Sequence, residues 1–97
     1  MTKSYWVSVY PAISDPETLA AYTTLARPAV QAGGGRTLSR GGRVVAHEAG
    51  IPQRVVLVEF DSFEQAVAAY ESEAYQHALV ALPDGVERDF RIIEGID

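Results

Sequence analysis

The stretch that most narrows the fold is RVVLVEF, Arg54 to Phe60. Read as a strand, it puts Val55, Leu57 and Glu59 on one face and Val56, Val58 and Phe60 on the other. Apart from Glu59, both faces are apolar. Such a strand has to be covered on both sides, so it belongs inside a sheet and not at its edge. SYWVSVY, Ser4 to Tyr10, has the same property: Tyr5, Val7 and Val9 alternate with Trp6, Ser8 and Tyr10. Two strands of this kind predict a sheet with both at its centre.

The segments around them supply the rest of the order. SDPETLAAYTTLARPAVQAGGG predicts a helix with Asp15 as its cap, Pro16 at its first position and Glu17 facing the dipole. Leu19, Tyr22, Ala26, Ala29, Val30 and Gly33 form its apolar stripe, and Pro28 predicts a kink. RTLSRGGRVVAHEAG reads as a second, extended segment with a bulge or bend at Gly41-Gly42. After Phe60, Ser62 and Gln65 make a capping box for a second helical region with Phe63, Ala66, Val67 and Tyr70 on its apolar side. Ser72 recaps a further segment carrying Tyr75, Ala78, Leu79 and Leu82. Pro83-Asp84-Gly85 is a turn by composition, and RDFRIIEG, from Arg88, is the last strand.

The resulting order, β-α-β-β-α-β, is that of a ferredoxin-like α+β protomer: a four-stranded antiparallel sheet with two helices on one face. Right-handed crossovers place the first and third strands in the middle, which agrees with their apolar character. The second sheet face remains apolar, and a symmetric homodimer would cover it, two sheets closing into a dimeric α/β barrel. Residues 1–97 are expected to be a single domain of this kind.

Composition excludes several function classes. The chain has 97 residues, 47% hydrophobic, with a net charge of -5 and a pI near 4.9. An acidic chain argues against nucleic-acid and anionic-membrane partners. There is no cysteine, hence no disulfide or thiolate chemistry. The N-terminal MTKSYWVSVYPAI is interrupted by Ser8 and Pro11 and lacks the uniform apolar core of a signal peptide, so a soluble cytoplasmic protein is expected.

GGGRTLSRGGR, Gly33 to Arg43, packs five glycines and three arginines into eleven residues. A phosphate loop needs a strand before it and a helix after it; here the order is reversed and no Gly-Lys-Ser/Thr ending follows. The stretch is a helix cap followed by a corner.

Glu59 is the candidate acid or base, because a carboxylate on an apolar strand must be paired or shift its pKa. The alternative is a structural ion pair with Arg40 or Arg91. Arg40 is the candidate anchor for a carboxylate ligand at the barrel mouth. Trp6, Ser8 and Tyr10 could line the space between the two sheets, with core packing the competing reading for Trp6. His47, on the predicted second strand, is a further ligand-binding candidate. Its neighbour Glu48 points the other way on a strand, so no metal site is expected, and no cofactor is implied. His77 reads as a helix-surface residue. Tyr70 and Tyr75 read as helix-on-sheet packing with hydroxyls satisfied near Ser72.

Taken together, GGRTLSRGGRVVAHEAG, RVVLVEFDSFEQAVAAYESEAYQHAL and RDFRIIEG resemble the domain-of-unknown-function family 1330, of the dimeric α/β-barrel superfamily. The resemblance runs from Tyr5 to Gly95 and rests on Asp15-Pro16-Glu17, Arg40-Gly41-Gly42, Glu59-Phe60, Tyr70-x-Ser72-x-x-Tyr75 and Glu94-Gly95. One departure is Leu82-Pro83, where similar sequences read leucine-arginine. The resemblance implies the fold and the dimer; it carries no reaction with it, since fold does not determine function. Two functions are compatible with these residues: a homodimeric small-molecule-binding module, or a cofactor-free enzyme, monooxygenase- or isomerase-like, acting on a small aromatic or carboxylic metabolite.

Overall fold

A computed structural model describes residues 2–13, 16–82 and 86–96. Its elements are β1 (Ser4–Ile13), α1 (Pro16–Ala32), β2 (Arg36–Arg40), β3 (Arg54–Phe60), α2 (Phe63–Glu71), α3 (Glu73–Leu79) and β4 (Val86–Glu94). The sheet order is β2-β3-β1-β4, with all three strand pairings antiparallel. The two strands apolar on both faces are the two central ones. This is the ferredoxin-like α+β arrangement, its second helix divided in two.

That division has a local cause. Ser72 Oγ accepts from the backbone N–H of Tyr75 at 3.3 Å and donates to the carbonyl of Ala69 at 2.8 Å. One side chain therefore closes α2 and opens α3. At the start of α2, Ser62 Oγ accepts from Gln65 N–H at 3.1 Å, and Gln65 Oε1 reaches back to the N–H of Asp61 at 3.2 Å. The capping box is present, with its return bond one residue early. The expected cap Asp15 and the turn at Pro83-Asp84-Gly85 lie outside the described residues.

α1 runs through Pro28 and ends in a Schellman motif. Gly35 N–H bonds the carbonyl of Val30 at 2.9 Å, Gly34 N–H bonds that of Gln31 at 3.0 Å, and Gly34 takes φ +90°. The glycine run is thus a helix end, as its order implied. The bulge in β2 is not at Gly41-Gly42 but one turn of sequence earlier, between Thr37 and Ser39. Beyond Arg40 the chain leaves the sheet, so residues 41–53 are not a strand and are largely exposed.

Register decides which face each residue serves. Trp6 pairs with Val58 and Ile92, and Ser8 with Val56 and Phe90. These rows meet the helices: Trp6, Val58 and Phe60 join Tyr22, Ala26, Ala29 and Val30 of α1, Ala66 and Ala69 of α2, and Tyr75 and Ala78 of α3 in one core. Trp6 is at its centre, its ring 4.8–5.2 Å from those of Tyr75, Phe60 and Phe90. Its indole N–H donates to the carbonyl of Ala66 at 2.9 Å, which satisfies the one polar atom this ring buries. The opposite rows, Tyr5-Glu59, Val7-Leu57 and Val9-Val55, face away from the helices. Trp6, Ser8 and Tyr10 therefore do not share a side with Val55 and Leu57; antiparallel pairing puts them on the helix side.

Candidate functional site

A cavity of about 50 Å³ lies between the sheet and the helix layer. Every strand and two helices contribute to it. β1 supplies Trp6, Ser8 and Tyr10, and β3 supplies Arg54, Val56 and Val58. From β4 come Arg88 and Phe90, from α1 Tyr22, Ala26, Arg27 and Val30, and from α3 Tyr75. The edge strand adds Thr37 and Arg40. Arg40 reaches this side because of the bulge. Simple alternation from Arg36 would turn Arg40 to the opposite face, but the extra residue between Thr37 and Ser39 sets it opposite Val56.

The chemistry is concentrated at one end. Arg88 donates from Nη1 to Tyr22 Oη at 3.2 Å and from Nη2 to Tyr75 Oη at 2.9 Å, and the two phenols bond each other at 2.5 Å. Only one phenol can donate in the phenol–phenol bond. The other retains an O–H with no acceptor in this cluster. Burial, reinforced by the neighbouring Tyr75, pushes the Tyr22 phenol well above its ordinary range, against the opposing pull of Arg88. Burial also raises Tyr75, again opposed by Arg88. Burial presses the Arg88 pKa down, but its interactions with Tyr22 and Tyr75 outweigh this and raise it. At neutral pH the cluster is a fixed cation with two neutral phenols. The Arg88 guanidinium also lies over the Phe90 ring, 4.6 Å from its centroid.

Arg54 is the second cation. It pairs across the sheet with Tyr10 and lies over that ring at 6.0 Å, yet its Nε–H is buried without an acceptor among the described residues. Gly41 explains how it fits: its φ is +70°, and a Cβ there would collide with Arg54 Nη1. Arg27 and Arg40 complete a set of four arginines around the cavity, which no acidic residue among the described ones lines. Among the described residues, no salt bridge joins any of the four to a carboxylate. In a chain of net charge -5, this is a local reversal of sign.

Of the residues singled out in the sequence, the cavity brings together Trp6, Tyr10 and Arg40, on the helix side of the sheet instead of between two sheets. Glu59 is elsewhere. It lies on the open face, its side chain 22% exposed, and pairs with Arg36, directly across the sheet, at 3.0 Å; neither Arg40 nor Arg91 is its partner. Arg36 also meets Asp61 at 2.8 Å, and Lys3 meets the same Asp61 oxygen at 2.9 Å. Those hydrogen bonds hold the Asp61 carboxyl below its ordinary value. Arg91 pairs with Asp89 at 3.0 Å. His47 is exposed in the segment after β2, not on a strand, and His77 is on the exposed side of α3. No group of three or more metal-ligating side chains occurs among the described residues.

Sequence reasoning gave Tyr22 and Tyr75 only packing roles, left Arg88 as one arginine among several on the strands, and did not single out Arg54. Their signal was parity: Arg54 shares the phase of Val56, Val58 and Phe60, and Arg88 that of Phe90 and Ile92. Tyr22 was already on the buried stripe of α1. The hydroxyl of Tyr75 meets Tyr22 and Arg88, not Ser72.

Comparison with known proteins agrees with the fold. The family described as a domain of unknown function (DUF1330) matches residues 3–96, and the chain belongs to it. No curated protein matches. Among solved structures, a protein of unknown function from Rhodopseudomonas palustris is similar at 16% identity, over 99% of this chain and 84% of that one, with TM-score 0.71. A candidate antibiotic biosynthesis monooxygenase from Nitrosomonas europaea is similar at 19% identity, over 98% and 99%, with TM-score 0.59. A dimeric ferredoxin-like protein of unknown function from Thermobifida fusca is similar at 12% identity, over 98% and 92%, with TM-score 0.58. At these identities the likeness is one of fold.

Proposed function

From membership of a family that sets a fold and leaves the reaction open, we propose that this protein is a homodimeric, cytoplasmic module that binds a small organic molecule in the sheet–helix cavity of each protomer. The observation that carries the reading is a walled space with polar groups left over. Aromatic rings and valines surround it, while a phenolic O–H and the Arg54 Nε–H have no protein acceptor among the described residues. Buried polar groups are nearly always paired, so each invites an acceptor from outside the chain; Ser4 Oγ, buried away from the cavity, is also unpaired among the described residues. Ligand sites have this character: apolar walls with a few convergent polar groups.

The dimer in this reading forms through the open sheet face, where Val7, Val9, Val55 and Leu57 have no helix over them. The dimeric neighbour from Thermobifida fusca supports it by analogy of fold. Glu59 then closes an ion pair with Arg36 near the rim of that face.

Native mass spectrometry of freshly purified protein tests both parts. The expected species is a dimer carrying extra mass, and Ala26→Leu, which fills the cavity, should give the dimer without it. Extra mass retained by Ala26→Leu would remove the cavity from the reading, and a monomer would remove the dimer.

One observation favours a second reading, a cofactor-free enzyme in the same cavity: the spare phenolic O–H beside a guanidinium can donate a hydrogen bond to an oxygen that gains negative charge during a reaction. Turnover that survives Glu59→Gln and is lost in Tyr22→Phe and Tyr75→Phe would select it.

A further inference from the structure

The lining of the cavity also specifies what kind of molecule fits it. Its polar groups are overwhelmingly donors. Both terminal nitrogens of Arg88 are already engaged by phenols, one phenolic O–H remains, and the Nε–H of Arg54 is buried and unpaired among the described residues. Arg27 and Arg40 add two further guanidinium groups at the more exposed side. A neutral ligand would leave this positive field uncompensated in a partly desolvated space, a costly arrangement. An ionised carboxylate is the complementary group, because it accepts only and offers two oxygens in a plane that matches a guanidinium fork.

Size and the apolar wall restrict the rest of the molecule. A cavity of about 50 Å³ has room for roughly three to five water-sized groups. Along α1 from Tyr22 and along β3 from Arg54, the lining continues as Ala26, Val30, Val56 and Val58, which have no side-chain hydrogen bonds to give. That wall suits a short carbon chain and would be wasted on a hydrated inorganic oxyanion. On the reading that this cavity is the binding site, we infer that the ligand is a short-chain carboxylate of about two to four carbons, its carboxylate held by Arg54 and the Tyr22–Tyr75–Arg88 cluster and its carbon end against the valines.

The test is a titration of the full chain, labelled with nitrogen-15, with propionate, its uncharged isostere propionamide, and inorganic phosphate. The Arg54 and Arg88 Nε–H report from cavity-lining side chains, and the Trp6 indole N–H, bonded to Ala66 behind the cavity, reports on a ring that lines it. Propionate should shift all three saturably in the millimolar range or below, and propionamide should bind at least about tenfold more weakly, since charge-assisted bonds are lost. Arg54→Gln should weaken propionate by about tenfold or more while leaving the phenol cluster intact. Arg88→Gln should do the same if its thermal melt remains cooperative; Arg54→Gln carries the test if it does not. Arg36→Gln, on the outer face, should change nothing. Equal binding of propionamide would overturn the carboxylate assignment and leave the cavity as a site. Phosphate binding tighter than propionate would overturn it in favour of an inorganic oxyanion. If none of the three shifts these resonances, the assignment falls, while the bound mass in native spectra still decides whether the cavity is a site.

Discussion

Tyr22 and Tyr75 tie the stability of the fold to pH through their hydroxyls. Both phenols ionise above their ordinary value of 10.0 in the folded protein, chiefly because they are buried. In the unfolded chain they ionise at that ordinary value. The folded form therefore holds protons that the unfolded form has already released once the pH passes 10. Stability is whole below pH 10 and declines above it, by about 1.4 kcal/mol per pH unit for each phenol. A melting series at rising alkaline pH should show this decline, and Tyr22→Phe should make it shallower. At neutral pH, Tyr75→Phe should destabilise by about 1–3 kcal/mol, because Arg88 and Tyr22 each lose a buried partner; chemical denaturation measures it. The acid side depends on a different residue. Asp61, held below its ordinary value of 3.8 by Lys3 and Arg36, contributes stability above that pH and loses it as the pH falls below. Lys3→Gln should flatten that acid limb slightly. None of these hydroxyl or guanidinium partnerships was legible in the sequence. Tyr22 and Tyr75 are separated by 53 positions and Arg88 by 13 more, and only the packing of α1 against α3 over β4 joins them.

At the scale of elements, the central strands, the Ser62 and Ser72 caps and the strand order could be read from the chain, because each follows from a local rule applied to a few residues. The edge strand could not. Its bulge lies at an ordinary Leu38, while the glycines that advertise a bulge serve another end. Gly41 takes φ +70° at the point where β2 gives way to irregular chain, its N–H bonded to the carbonyl of Val55 at 3.1 Å. The space a side chain would occupy belongs to the Arg54 guanidinium. Gly41→Ala should therefore act twice. The left-handed backbone costs about 1 kcal/mol or more for any residue with a Cβ. The displaced Arg54 should also weaken propionate binding beyond what that backbone cost explains. Gly42→Ala, whose Cβ meets only Ser39 Oγ at 3.4 Å, is the matched control and should do neither. Melting temperature and the same titration read both effects. The one-residue offset at Leu38 also explains why Arg40, read from the sequence as an anchor at the mouth of the barrel, lies on the helix side of the sheet. A residue's type is visible in sequence, but its face depends on every bulge before it.

At the scale of the whole molecule, two spaces compete for a ligand: the cavity under the helices and the gap that a sheet-to-sheet dimer would enclose. The slab is 38 × 35 × 17 Å, one layer of helices on one sheet, and Leu57 lies on the uncovered side opposite Val7. Apolar Val44, Val45 and Ile51 are also exposed in the segment after β2. Leu57→Asp would place a charge in the middle of the uncovered face without touching the helix-side core or any cavity residue. The protein should then be a folded monomer, seen as a halved mass in native spectra with an unchanged cooperative melt. The consequence for binding follows from geometry. The cavity is built within a single chain, so a monomer should bind propionate within about twofold of the parent, since distant sites with no shared partners act independently. If the ligand belonged between the sheets, the same substitution would abolish dimer and binding together. Loss of both would return Glu59, on that face, to the centre of the chemistry. Loss of the dimer alone would keep recognition with Arg54, Arg88 and the two phenols.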